Sequence, residues 1–162
     1  MVKMFKIKYF LILAFSLLLH SCVTVKPSGG LYKNTEISSD KGRIFLFRKE
    51  TSLIGFDTPE IILTGSSSLN FFLPNKTFIQ EDLIPGKYNI VVLKPSDPGL
   101  VWRFDPFKKD ILITKGKSLY FELKTSSVGL LHFVKLSPQD EISSIEKIKD
   151  LKRVTTLDKP KF

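Results

Sequence analysis

The chain predicts an all-β fold: an antiparallel β-sandwich of about seven to nine short strands with one C-terminal helix. Three observations predict it. Short apolar runs are separated by clusters of Gly, Pro, Asn and Ser at intervals of roughly eight to twelve residues. Phe occurs 14 times in 162 residues and aromatics make up 12% of the chain, a bias towards side chains that pack well on a pleated surface. One segment, beginning at Ser137, carries a helix-initiating pattern. No internal repeat of fixed period is visible.

The folded domain is expected to begin near Gly42. Arg43-Ile44-Phe45-Leu46-Phe47-Arg48 is an unbroken apolar run with basic ends, the pattern of a strand covered on both faces. Glu60 to Thr64 reads as a second strand, turned by Gly65-Ser66-Ser67-Ser68 into a third from Leu69 to Leu73, which Pro74-Asn75 stops. Thr77 to Leu83 is a short, partly polar strand. Pro85-Gly86 then leads into Tyr88 to Leu93. Pro85 fixes its own φ, and Gly86 is free to take a positive one. Tyr88 is expected to bury its ring and leave its hydroxyl at an edge.

Pro95 to Gly99 reads as a loop, and Val101 to Phe104 as a strand or a strand edge. Asp110 to Thr114 and Ser118 to Leu123 form a hairpin about Lys115-Gly116-Lys117, and the last strand runs from about Leu130 to Leu136. These runs place the sandwich at 42–136, with mostly antiparallel neighbours. Ser137-Pro138-Gln139-Asp140 offers a capping serine, a proline at the first helical position and an acid at the third, so a helix is expected over 137–154. Ile142, Ile145, Ile148 and Leu151 recur every third residue, close to one helical face. Lys147, Lys149, Lys152 and Arg153 lie towards the C-terminal end, where cations suit the helix dipole. Either this helix packs on the sandwich with a solvated basic back, or its basic surface meets a partner or an acidic headgroup. Residues 155–162 read as a frayed tail.

The N-terminus predicts export. Lys3, Lys6 and Lys8 precede an apolar run from Tyr9 to Leu19. That run is too short to span roughly 30 Å of hydrocarbon and suits the apolar core of a signal peptide. It ends at Leu19-His20-Ser21-Cys22, which resembles the bacterial lipobox through Leu19, Ser21 and Cys22, while His20 departs from it. The pattern implies cleavage before Cys22, with a small residue giving the peptidase access, and a thiol that takes the diacylglyceryl group. Residues 1–21 are then the signal peptide and 22–41 a lipidated, turn-rich spacer. In that spacer, either Leu31 and Tyr32 pin part of the chain to the domain or the whole stretch is a flexible tether. Acyl chains anchor at about 0.8 kcal/mol per buried CH₂. Val23, where an Asp would signal inner-membrane retention, implies the outer membrane.

The formal net charge is +9, and removal of residues 1–21, which hold three lysines and no acid, leaves 22 basic against 16 acidic residues. A basic surface favours anionic headgroups or acidic polymers, or serves solubility alone. Nucleic acid is not an expected partner of an exported chain. The chain holds one cysteine, so no internal disulfide forms, and lipidation accounts for the residue.

Little in the sequence points to an enzyme. His132 is the one histidine of the mature chain and lies on an expected strand. No spacing supports a Ser-His-Asp set, a zinc site or a phosphate loop, so no catalytic residue, metal or cofactor is assigned. Glu81 and Asp82 are neighbours on a strand and point apart. The most unusual segment is Val101 to Lys109, which combines Trp102, Arg103, Phe104, Phe107, Lys108 and Lys109. It is a candidate binding platform for sugar rings, lipopolysaccharide or a protein. Alternatively, Trp102 and Phe104 face the core and Arg103 faces out.

The opening strand with its trailing Arg48, the Leu83-Ile84-Pro85-Gly86-Lys87-Tyr88 turn, the strand from Ile111 to Lys115 and the Gly116 to Phe121 hairpin together resemble a family of bacterial lipoprotein domains of unknown function. That family is similar to the PEGA-like and transthyretin-like sandwiches. The resemblance covers about residues 42–153. Gly65-Ser66-Ser67-Ser68 stands where that family often has an Asp-Gly turn. The resemblance implies a fold but no reaction, cofactor or partner. The expected function is therefore that of a membrane-anchored envelope lipoprotein, a non-enzymatic protein-binding or structural module held by its N-terminal lipid. The alternative is a surface-exposed lipoprotein that binds a glycan or a host ligand.

Overall fold

The structure, a computed structural model, describes residues 26–50, 58–93, 106–128 and 131–156, with backbone alone at 127, 128, 131 and 132. Cys22, Leu19, Ser21, Trp102, Arg103 and Phe104 lie outside the described residues. The elements in chain order are β1 (Gly42–Arg48), β2 (Glu60–Thr64), β3 (Ser68–Phe72), β4 (Thr77–Leu83), β5 (Gly86–Leu93), β6 (Phe107–Ile113), β7 (Ser118–Val128), β8 (Leu131–Gln139), α1 (Glu141–Ile148) and β9 (Lys152–Arg153).

The strands form two sheets, one of five in the order β8-β7-β1-β4-β9 and one of four in the order β3-β2-β5-β6. Ile44 and Leu46 of β1 face the core between the sheets, with Ile61, Leu63, Phe71, Tyr88, Ile90, Val92, Ile113, Phe121 and Leu123. Phe45 and Phe47 face the opposite way, into a second cluster with Phe78, Tyr120, Ile148 and Leu151. The unbroken apolar run of β1 thus reflects a central strand covered on both faces. Its basic ends are buried with it: Arg43 is 5% exposed and Arg48 wholly buried, and Arg48 Nη1 donates to the Leu73 carbonyl at 3.4 Å.

The sandwich is antiparallel-rich, with two parallel pairs. β1 lies parallel to β7 and β4 parallel to β9, while the remaining pairings are antiparallel. The β4–β5 turn forms as its residues require. Gly86 takes φ +155°, a conformation that a Cβ disfavours. Tyr88 is buried and its hydroxyl lies 2.6 Å from Ser66 Oγ. Its ring lies flat over Gly65, where any Cβ would collide with it.

Two expectations are corrected. The helix does not start at Ser137. Ser137, Pro138 and Gln139 extend β8 and pair with Glu122, Phe121 and Tyr120 of β7, and proline is tolerated there because β8 is an edge strand. Asp140 is the N-cap instead, accepting from the Ser143 amide at 2.9 Å. The helix ends at Ile148, and Lys152 and Arg153 pair with Thr77 and Phe78 as β9. Ile142 is 84% exposed, while Ile148 and Leu151 are buried. A spacing of three residues turns 60° short of a full circle each time, so a row of four drifts round half the helix.

Of the two readings of the spacer, the structure shows the one in which Leu31 and Tyr32 pin part of it: from residue 29 onwards it lies against the domain. Gly29 N donates to the Arg153 carbonyl at 3.1 Å, Arg153 N donates to the Gly30 carbonyl at 3.0 Å, and Leu31 bridges Lys152. Tyr32 meets Phe45 and Phe78 edge-on, with ring centroids 6.0 and 6.2 Å apart. Tyr32 and α1 therefore form a third layer on the outer face of the five-stranded sheet.

Candidate functional site

Of the platform read between Val101 and Lys109, the described residues are Pro106, Phe107, Lys108 and Lys109; the last three open β6, which begins three residues before the strand expected from Asp110. Phe107, Lys108 and Lys109 pair with Val92, Val91 and Ile90 of β5. Strand alternation then divides them. Phe107 packs against the core. Lys108 is exposed on the outer face. Lys109 turns inward, with its Nζ 5.7 Å from the centroid of the Phe121 ring. A cation over a ring face contributes about 0.5–1 kcal/mol at a site of this exposure.

β6 ends the four-stranded sheet and β8 ends the five-stranded sheet. The two edges flank one side of the sandwich, and a groove of about 300 Å³ lies between them. Phe107, Lys108 and Lys109 line it from β6, and Val134, Lys135 and Leu136 from β8. Alternation along β8 puts Val134 and Leu136 against the core and leaves Phe133 and Lys135 exposed. Among the described residues no carboxylate reaches Lys108, Lys109 or Lys135. Lys135 stands directly opposite Lys124 of β7. Like charges so placed are destabilising by tenths of a kcal/mol. The nearest relief is Glu122, 3.9 Å from Lys124 but only 3.0 Å from Lys147.

Other charged groups are engaged in structure. Glu81 and Asp82 point apart, as read from the sequence, and take separate partners. Arg153 lies 3.6 Å from Glu81, whose carboxyl burial pushes above its ordinary range. Arg43 binds Asp82 and holds its carboxyl below the usual value, mainly through their hydrogen bond. Glu141, the first residue of α1, accepts from the Tyr120 hydroxyl at 3.2 Å. Burial first, with that carboxylate adding to it, pushes Tyr120 up to about 12. A larger open hollow of about 620 Å³ between β4 and α1 has mixed charge, with Lys76 and Glu50 paired at 2.7 Å across its wall. Among the described residues, no three His, Cys, Asp or Glu side chains gather as metal ligands would. His132 lies on β8 opposite Ser127.

Sequence reasoning found the β6 half of the groove and missed Lys135 and Lys124. The signal for Lys135 was its place in the last expected strand, two residues from Phe133. Its meeting with β6 depends on how the two sheets face each other. The chain matches no family model, no curated protein and no solved structure.

Proposed function

We propose that this chain is a lipid-anchored envelope module that works by binding a protein rather than by catalysis. Acyl chains on Cys22 hold it to the membrane, and the β6–β8 side meets the partner. The supporting observation is the placement of the two ends of the five-stranded sheet. The N-terminal segment joins the domain at β9, through Gly29, Gly30 and Leu31. β8 is the other end of that sheet. Four strand spacings separate them, about 19 Å. Seven residues run from Cys22 to Gly29, a reach of at most about 25 Å. In the proposed orientation the β9 edge, where the anchored segment joins, faces the headgroups and the lysine-lined groove faces away from them. Val23 favours the outer membrane, and the resemblance to lipoprotein sandwich domains is part of the same proposal.

Palmitate labelling and the mass of the mature N-terminus test the anchor, which fails if Cys22 is unmodified. Photo-crosslinkers placed at Lys135 and at Lys152 test the orientation in cells. The expected result is protein adducts from position 135 and lipid adducts from position 152. Lipid adducts from both positions would overturn the orientation. Glycan adducts at Lys108 would instead favour the glycan-binding alternative, for which the sequence also offers Trp102 and Arg103.

A further inference from the structure

We propose that the edge of β8, unpaired among the described residues, takes an acidic, extended peptide segment as a sixth strand of the five-stranded sheet, its carboxylates set against Lys135 and Lys124. The proposal rests on the reading of the β6–β8 side as the recognition face and names the chemistry of its partner.

The edge itself supplies the docking groups. An outer strand presents a row of backbone N–H and C=O groups on its unpaired side. Pro138 lies within β8 opposite Phe121, which suits an edge because proline lacks a donor for the ladder. The side chains then select the partner. Lys135 and Lys124 are directly opposed; among the described residues no carboxylate pairs with Lys135, and Lys124 has only Glu122 at 3.9 Å, already held by Lys147 at 3.0 Å. A carboxylate delivered beside Lys135 would relieve that repulsion. Phe133 lies two residues away on the same face and is 41% exposed. A strand that presents an acid and an apolar residue at alternate positions of one face matches this spacing. Across the groove, Lys109 adds a cation at the inner side of the added strand.

The same lysines disfavour pairing of the edge with a second copy. Lysine on an edge strand bars strand addition by neutral or basic chains, and this chain carries a formal +9. The edge therefore discriminates by charge. An anionic polysaccharide could meet the lysines, but it has no amide ladder to continue the sheet.

The test uses the full chain, purified in detergent, and a fluorescein-labelled eight-residue peptide in which glutamate and valine take turns at every second position with threonine between them, so that both lie on one face. Comparison probes are the glutamine–valine counterpart and heparin fragments. Fluorescence anisotropy reads binding, and amide hydrogen exchange reads its place. The acidic peptide is expected to bind, to weaken with salt, and to protect the amides of 133–137. Lys135→Glu should weaken it about tenfold, Lys135→Gln less, and Lys149→Glu on α1's exposed end not at all. Equal binding of the glutamine peptide, unchanged affinity in both Lys135 variants, or binding without protection in β8 would each overturn the proposal. So would heparin binding with no peptide binding. A Cys22 found unmodified would sink the anchor and leave this result standing.

Discussion

Arg43 and Asp82 stand directly opposite one another on β1 and β4. Two hydrogen bonds join them, Nε to Oδ1 at 2.5 Å and Nη2 to Oδ2 at 2.9 Å. The same guanidinium donates to the carbonyls of Thr35 at 2.6 Å and Glu36 at 3.2 Å. One side chain thus ties a cross-strand pair to the N-terminal segment. Its planar fork suits this task in a way that a lysine cannot reproduce.

Asp82→Asn is therefore expected to destabilise the domain by about 1.5–3 kcal/mol, the usual worth of hydrogen bonds to a charged group. Arg43→Lys should do similar damage and also release the carbonyls of Thr35 and Glu36. Urea unfolding measures the first effect. Faster amide exchange over residues 35–38, before global unfolding, measures the second. Unchanged exchange there would show that Tyr32 and the backbone contacts of Gly29, Gly30 and Leu31 hold the segment without Arg43.

The two neighbouring acids of β4 act oppositely with pH. The Arg43 guanidinium holds the Asp82 carboxyl below its ordinary value of 3.8, so the unfolded chain binds the extra proton in that window. Its contribution is present above 3.8 and lost as pH falls through the folded value. Burial penalises the charge of Glu81 and holds its carboxyl above its ordinary value of 4.5. There the folded chain holds the extra proton, and stability falls as pH rises through 4.5 to the raised value. Glu81→Gln should remove that decline and leave stability at neutral pH unchanged or higher. Asp82→Asn should flatten the loss below 3.8. Denaturation midpoints from pH 2.5 to 7 check both signs.

Gly65 and Tyr88 make a fitted pair. Gly65→Ala places a methyl group in the Tyr88 ring and should cost about 1–3 kcal/mol by overpacking. Tyr88→Phe removes only the hydroxyl contact to Ser66 and should cost about 0.5–1.5 kcal/mol. Thermal or urea denaturation separates the two. A Gly65→Ala variant as stable as the parent would show that the β2–β3 turn shifts without strain.

The helix offers a contrast between residues of one type. Ile142→Ser should change stability by no more than about 0.5 kcal/mol, since the side chain lies in solvent. Ile148→Ala, on the buried face, should cost about 2–5 kcal/mol. Equal effects would mean that α1 is rotated from the position described.

What the sequence determined was local. The run from Ile44 to Phe47 has no polar break, so only a strand covered on both faces could hold it. Pro85-Gly86 dictated the turn before β5, because no other pair combines a fixed φ with a free one so cheaply. Phe107, Lys108 and Lys109 were legible as candidates from their composition alone. The tertiary structure decided what depends on distant neighbours. β7 offered a ladder long enough to draw Ser137 to Gln139 into β8, against a local capping pattern that favoured a helix. β1 and β7 lie parallel because no short hairpin links them, and the strand runs alone carry no direction of pairing. Lys135 meets Lys124 through the β7–β8 register and comes to line one groove with Lys109 through the closure of the two sheets. No periodicity in the chain encodes that meeting, since it arises only when two sheet edges are brought to the same side of one core.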